Sequence, residues 1–391
     1  MHSSIGANIK RLRRQLGWSQ TRLAYEVCRS SGVVGEPVGR QEVSRWETGK
    51  RTPREWLPFI AKALGVPVSA LTRAQGADAS LLLPTTREQR RDDYAQSIRS
   101  ISQRLIALDN ELHGLPIAAS AVRAFATVHR RLGEGDYEPR YEREIRAAAA
   151  ELAEIANWAL FNEGNFKASR RYGQEAIFLA KLAGDRSTEL ITLQNLGMLA
   201  GWTGRAREEL AIAGSVLDQG GLSPRVEALF RAREGQGLAG SGRATEAERV
   251  FDKARSLLQD SAPGTEPSWA WWVSDQEIDR QQGRILHETG RYAKAIPLLE
   301  RAMEADGAGV GYANVARVRL LDSLLQVEDW WTAEQETLKL MHSVREMASV
   351  ATLNILERVV DQGRNLPGAP RSLREALHEI ESTMRDDPYE I

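Results

Sequence analysis

Three pairs of glycines, Gly197/Gly204, Gly235/Gly242 and Gly283/Gly290, each stand seven residues apart and recur at intervals of 38 and 48. A fixed period of this length is the mark of a stacked array, in which each unit can bury its apolar face only against its neighbours. The segments NEGNFKAS, WTGRAREEL, GSGRATEAE, TGRYAKAI and EDWWTAEQ read as successive copies of one turn between two helices. The first glycine of a pair lets the two helices approach closely, and the second lets the chain reverse. The longer interval is explained by the insert SAPGTEPS at 261–268, and in the outer copies Asn157 and Asp322 stand where the mid-helix glycine would be. The chain is therefore expected to be all-α.

Over residues 141–345 this pattern resembles the tetratricopeptide repeat, with the helices beyond it capping the array. The resemblance implies a concave groove lined by the first helix of each pair. Its offsets before the turn glycine select Trp158, Gln194, Met198, Gln236, Arg280, Arg284, His287 and Arg319. Three arginines toward one end, without matching carboxylates, suit an extended peptide or an anionic small molecule. The competing reading for each arginine is an ion pair with a neighbouring acid. Trp269, Trp271, Trp272, Trp330 and Trp331 read as helix-packing residues, and the pair Glu208-Glu209 as a solvated helix face.

A second stretch, GRQEVSRWETGKRTP at 39–53, has a different character. It holds one short helical pattern at 40–47. At about 100° per residue, Arg40, Gln41, Ser44 and Arg45 share one arc, with Val43 and Trp46 opposite. Arg suits guanine O6/N7 and Gln suits adenine N6/N7, so this arc carries side chains fit to read base edges. The following Thr48-Gly49-Lys50-Arg51 offers a tight turn and two cations for gripping phosphate. Around this stretch, a helix at 4–16 carries the apolar stripe Ile9, Leu12 and Leu16 and ends at Gly17. Ser19 is a good N-cap for a second helix, with Leu23, Ala24 and Val27 inward. Gln20, just inside that N-terminus, is placed where a side-chain amide and the helix dipole both meet a phosphate. Pro53 begins a fourth helix that Gly65 closes, and a short fifth helix is expected at 69–73.

WSQTRLA, VSRWETGKRTP and LPFIAKALGV together resemble the Cro/phage-repressor (XRE-type) DNA-binding family over residues 5–72. The resemblance implies that Gln20 and the Lys50 region touch phosphates, that Arg40, Gln41 and Arg45 read bases, and that Arg13 pairs with Glu47. Two departures stand out. SSGVVGEPVG lengthens the connection between the second and third helices, and Gly39 replaces the Ser or Thr that normally caps the third.

Charge separates the two halves. Residues 1–75 carry a net +8 and the remainder −9, inside a whole-chain charge of −1, so only the head is suited to a polyanion. The expected organisation is a helix-turn-helix domain at 1–75, a linker at 76–86, connecting helices at 87–140 and the repeat body at 141–391. In the connecting region Tyr94, Ile98, Ile101, Leu105, Leu108 and Leu112 alternate at four and three. This stripe fits either packing on the chain's own body or a dimer seam. A single cysteine, Cys28, and the lack of any long apolar run or secretory signal point to a cytoplasmic protein. The six histidines are scattered, with no HExxH and no Cys/His cluster, so neither enzyme chemistry, nor a metal, nor a cofactor is expected.

The combination resembles regulators that join a Cro-type head to a tetratricopeptide sensor, some responsive to small peptides. It implies a transcriptional regulator that binds double-stranded operator DNA as a homodimer, with a signalling peptide or anionic small molecule as effector. The alternatives are a constitutive DNA-binding scaffold, or an antitoxin-like repressor whose repeats dock another protein.

Overall fold

In a computed structural model, residues 5–31, 37–53, 55–66, 68, 71, 94–111, 117–261, 266–303, 310–347 and 349–385 are described. Their regular structure is α-helical, with short 3-10 turns and no strand among the described residues. The expected fifth helix at 69–73 and the linker at 76–86 lie outside them, apart from Leu71, which is buried. The chain forms two compact units. One comprises Met1–Phe161, Asn165–Leu196 and Ser261–Trp271, and the other Asn162–Gly164, Gly197–Asp260 and Trp272–Ile391.

The first unit begins with α1 (Ile5–Gln15), α2 (Gln20–Ser31), α3 (Arg40–Glu47) and α4 (Leu57–Leu64). Ile9, Leu23, Val27, Val43, Trp46, Trp56, Leu57 and Ile60 are wholly or almost wholly enclosed between these helices. Such burial contributes about 1.5–3 kcal/mol per large side chain, which a small helical domain needs. Gly17 and Gly65 end α1 and α4 with φ of +67° and +66°, a backbone that Gly adopts without the Cβ penalty. Helix α4 starts four residues later than Pro53, with Trp56 as its N-cap. The close approach of α1 to α3 depends on Gly6, where an added Cβ would collide with the Trp46 carbonyl oxygen.

Helices α5 (Tyr94–Glu111) and α6 (Ala118–Glu134) follow, then α7 (Glu142–Asn162), α8 (Phe166–Ala183) and α9 (Arg186–Trp202). The four-and-three stripe on α5 is covered by the chain itself: Ile98 and Leu105 are buried in the unit's core, with Tyr94 and Ile101 packed against it. Leu108 is exposed, and Leu112 lies outside the described residues. Of the two readings of this stripe, packing on the chain's own body accounts for its central positions, which already have an apolar partner. Asn157 is buried and donates to the Ser169 carbonyl at 2.8 Å, in place of a close glycine contact.

In the second unit the remaining helices are α10 (Ala206–Gln219), α11 (Pro224–Gly240), α12 (Ala244–Gln259), α13 (Asp275–Glu288), α14 (Tyr292–Met303), α15 (Val310–Gln326), α16 (Trp330–Ser343), α17 (Val350–Asn365) and α18 (Arg371–Arg385). Each first helix packs on its own partner and on the next first helix, α11 on α13, α13 on α15 and α15 on α17. That is the contact pattern of a helical repeat. Gly204, Gly242 and Gly290 have φ of +74°, +84° and +74° and turn the chain. Their mid-helix mates differ. An added Cβ at Gly235 or Gly283 would press on Phe251 or Leu299, whereas Gly197 has room. Trp269 is buried, as packing requires, but Trp331 is 74% exposed and is no packing residue.

Candidate nucleic-acid interface and a buried charge network

Helix α3 starts at Gly39, whose extended backbone (φ −101°, ψ 172°) has no side chain to cap the helix. Val43 and Trp46 turn inward and are fully buried, which leaves the opposite arc at the surface. Arg40, Gln41, Ser44, Arg45, Thr48 and Lys50 line one open cavity of about 350 Å³. The structure thus brings together five of the seven residues expected to contact DNA. Thr48 joins them, its hydroxyl donating to the Ser44 carbonyl at 2.7 Å. Gly49, at φ +70°, makes the turn that presents Lys50, and the Gln96 side chain of α5 packs where a Cβ would stand.

Gln20 and Arg51 are placed differently. Gln20 begins α2, and its amide donates to Glu47 Oε2 at 2.9 Å. Arg13 reaches the same carboxylate through Nε at 2.5 Å and Nη2 at 3.0 Å. Arg13 and Glu47 are both buried, and the hydrogen bond to Glu47 holds the Arg13 pKa above its ordinary value. Arg51 donates to Glu42 Oε2 at 3.4 Å and to the Ser187 hydroxyl of α9 at 3.1 Å. The same hydroxyl accepts the Trp269 indole N–H at 3.1 Å. Sequence reasoning missed this junction. The cluster of tryptophans just after the insert was the available signal, since aromatic residues outside an α-helix need a partner to bury them.

Of the residues expected to line a groove, Trp158 and Gln194 belong to the first unit. Trp158 stacks on Phe161 at 5.7 Å between centroids, and the Gln194 amide donates to Asn195 Oδ1 at 3.1 Å. Met198, half-buried on α9, belongs to the second unit. There Gln236, Arg284, His287 and Arg319 meet in one buried network. Gln236 Oε1 accepts from Arg233 at 2.9 Å and from Arg284 at 3.4 Å. Arg284 bonds Glu288 at 2.9 Å and faces Glu209 at 3.9 Å. Arg319 stands 3.7 Å from Glu288 and lies over the Trp202 ring at 4.9 Å. Arg280 pairs with Glu277 one turn away.

Two expectations are corrected. The arginines do have carboxylate partners: Glu277 and Glu288 on α13 itself for Arg280 and Arg284, Glu209 on α10 for Arg284, and Glu288 again for Arg319 on α15. Glu209 itself is only 1% exposed and is no solvated face residue. Its burial raises its pKa against the pull of Arg284 and Arg233. The signal for it was Gly201, where an added Cβ would collide with the Glu209 carboxylate.

The pairing is still uneven. Burial draws Arg319 down to about 9; one carboxylate, Glu288, supports its charge, while Arg284, Arg280 and Arg358 oppose it. It stays cationic at neutral pH. His287 is lowered, first by burial and also by Arg319, against the opposite pull of Asp322 and Glu288. Its Nε2 lies 3.3 Å from Asp322, and its Nδ1 lies 3.0 Å from the Ser323 hydroxyl. Because its folded pKa is below its unfolded value of about 6.5, its contribution is complete above 6.5 and is lost as pH falls through the lowered value. The urea resistance of the second unit should therefore fall on acidification below about pH 6.5. A His287→Gln chain should lack that decline, leaving the opposite contribution of Glu209, whose raised pKa favours folding as it protonates.

A small helical head with a surface-facing third helix and a cation-bearing turn after it, together with a helical-repeat body, defines a helix-turn-helix protein of the all-α class. Residues 4–74 match the family model described as a helix-turn-helix domain, and the head is such a domain. No curated protein matches the chain. Among solved structures, it is similar to Bacillus thuringiensis PlcR in complex with the peptide PapR7 and DNA, at 15% identity and a TM-score of 0.33, over 77% of this chain and 93% of that one. No helix of the described residues is long and apolar enough to cross a membrane.

Proposed function

We propose that this chain is a sequence-specific transcriptional regulator. It binds operator DNA as a homodimer, and its tetratricopeptide-like body takes an anionic effector, a peptide carboxylate or a small molecule. The observation that carries the reading is the convergence of Arg40, Gln41, Ser44, Arg45 and Lys50 on one open face of the head. Base-reading and phosphate-gripping groups sit side by side there, as a major-groove reader requires. The effector reading is supported by Arg319, a buried cation with one carboxylate against three cations, since an added anion relieves that imbalance. Docking of a protein instead is favoured by one observation, the exposed Trp331 with Leu338 on the same helix.

The test is a pair of substitutions measured on a selected operator and on random duplex. Arg45→Ala should cost about 1–3 kcal/mol on the operator and relax preference at one base pair. Lys50→Ala should weaken both DNAs alike and lower the salt dependence by about one ion. Identical behaviour of the two variants on both DNAs would remove the division of roles.

A further inference from the structure

Glu42 is the one acidic side chain in the first turn of α3, on a helix whose exposed arc otherwise suits a polyanion. Its two carboxylate oxygens are divided between two cations. Arg45 Nη1 donates to Oε1 at 2.5 Å, and Arg51 Nη1 donates to Oε2 at 3.4 Å. The Glu42 side chain is 13% exposed and Arg45 52%, so the carboxylate lies beneath the guanidinium it holds. Arg51 is fixed from its other side by the Ser187 hydroxyl.

Stability alone does not explain this placement, because Arg45 is half exposed and a pair three residues apart on a helix contributes little. Raw affinity does not explain it either. A carboxylate beside phosphate-seeking cations reduces the counterion release that drives DNA binding. What it supplies is geometry. A guanidinium is a planar fork of five donors. With one N–H committed to Glu42, the fork is held in one plane and keeps donors for a paired acceptor such as guanine O6/N7.

We propose that Glu42 is a specificity-determining positioning residue of the DNA-reading face. By clamping Arg45 against Arg51 it directs Arg45 to a guanine edge and keeps it from the nearest phosphate. This rests on the DNA-reading assignment above.

The experiment uses the full chain and an operator selected from randomised duplexes. Glu42→Gln removes the charge; Glu42→Asp keeps it on a shorter arm. Glu42→Gln should bind random DNA several-fold more tightly, with a salt slope steeper by about one ion. Its operator-to-random ratio should fall about tenfold, the lost preference lying at the base pair that Arg45→Ala relaxes. Glu42→Asp should keep the parent's salt slope and recover part of the discrimination. An unchanged ratio and base preference in Glu42→Gln overturns the proposal alone. So does a changed preference at a different base pair, which would make Glu42 itself a base reader. If Arg45→Ala leaves the selected preference intact, the DNA-reading assignment falls and the proposal with it.

Discussion

Glu47→Gln should destabilise the head by about 3–5 kcal/mol, the usual consequence of stranding one partner of a buried ion pair. Arg13 and Gln20 both donate to this carboxylate, at 2.5–3.0 Å, and the Arg13 guanidinium also donates to the Trp18 carbonyl. Losing the charge therefore loosens α1, the start of α2 and the end of α3 together. Against a total stability of about 5–15 kcal/mol for an ordinary domain, that is a large share. Hydrogen exchange in the head of the full chain should rise across all three elements. Gln41→Ala is the contrast: exposed in the reading face, it should weaken operator binding while leaving exchange at the parent level. Equal protection in parent and Glu47→Gln would show that the pair braces nothing.

The same residues show why this part of the molecule was legible in the sequence. Helix α3 falls at Arg40–Glu47, as the periodicity predicts, because Val43 and Trp46 are the only large apolar groups in that stretch and must face the core. The turn glycines Gly204, Gly242 and Gly290 were legible for an equally local reason, a positive φ that disfavours other residues. The partners of charged side chains were not. Glu209 looks like any acid on a charged helix, and only the packing of α10 on α11 encloses it. Glu288, at the end of α13 with a 36% exposed side chain, meets Arg319 only because α13 packs on α15. Arg51 reads as a phosphate grip, yet it meets Ser187, 136 residues away. No period in the sequence encodes a contact of that range. Glu42 shows the same limit: its identity is plain, but that it faces Arg51 depends on how the turn after α3 folds back.

The body carries a prediction whose sign is its test. Arg319 and Arg284 are equally buried, at 5% exposure, but they hold different places in the network. Arg284 bonds Glu288 and Gln236 and faces Glu209. Replacing it with Met leaves the enclosed Glu209 carboxylate short of a cation, which should cost about 3–5 kcal/mol. Glu288, with a 36% exposed side chain, keeps Arg319 and water. Arg319 has one carboxylate, the shared Glu288, and the Trp202 ring in its favour, and three cations against it. Arg319→Met keeps the volume and the contact with Trp202, and it removes a charge that the interior supports poorly. Such replacements are often neutral or stabilising, by about 1–4 kcal/mol. Urea unfolding should therefore move in opposite directions for the two variants. The effector reading adds a second arm. Inorganic phosphate, or a peptide with a free C-terminal carboxylate, should raise the thermal midpoint of the parent through binding to the folded state and leave Arg319→Met unmoved. If Arg319→Met is instead as unstable as Arg284→Met, Arg319 is a structural member of the network. The body would then hold its charges in balance and would have no surplus cation to offer an anionic effector.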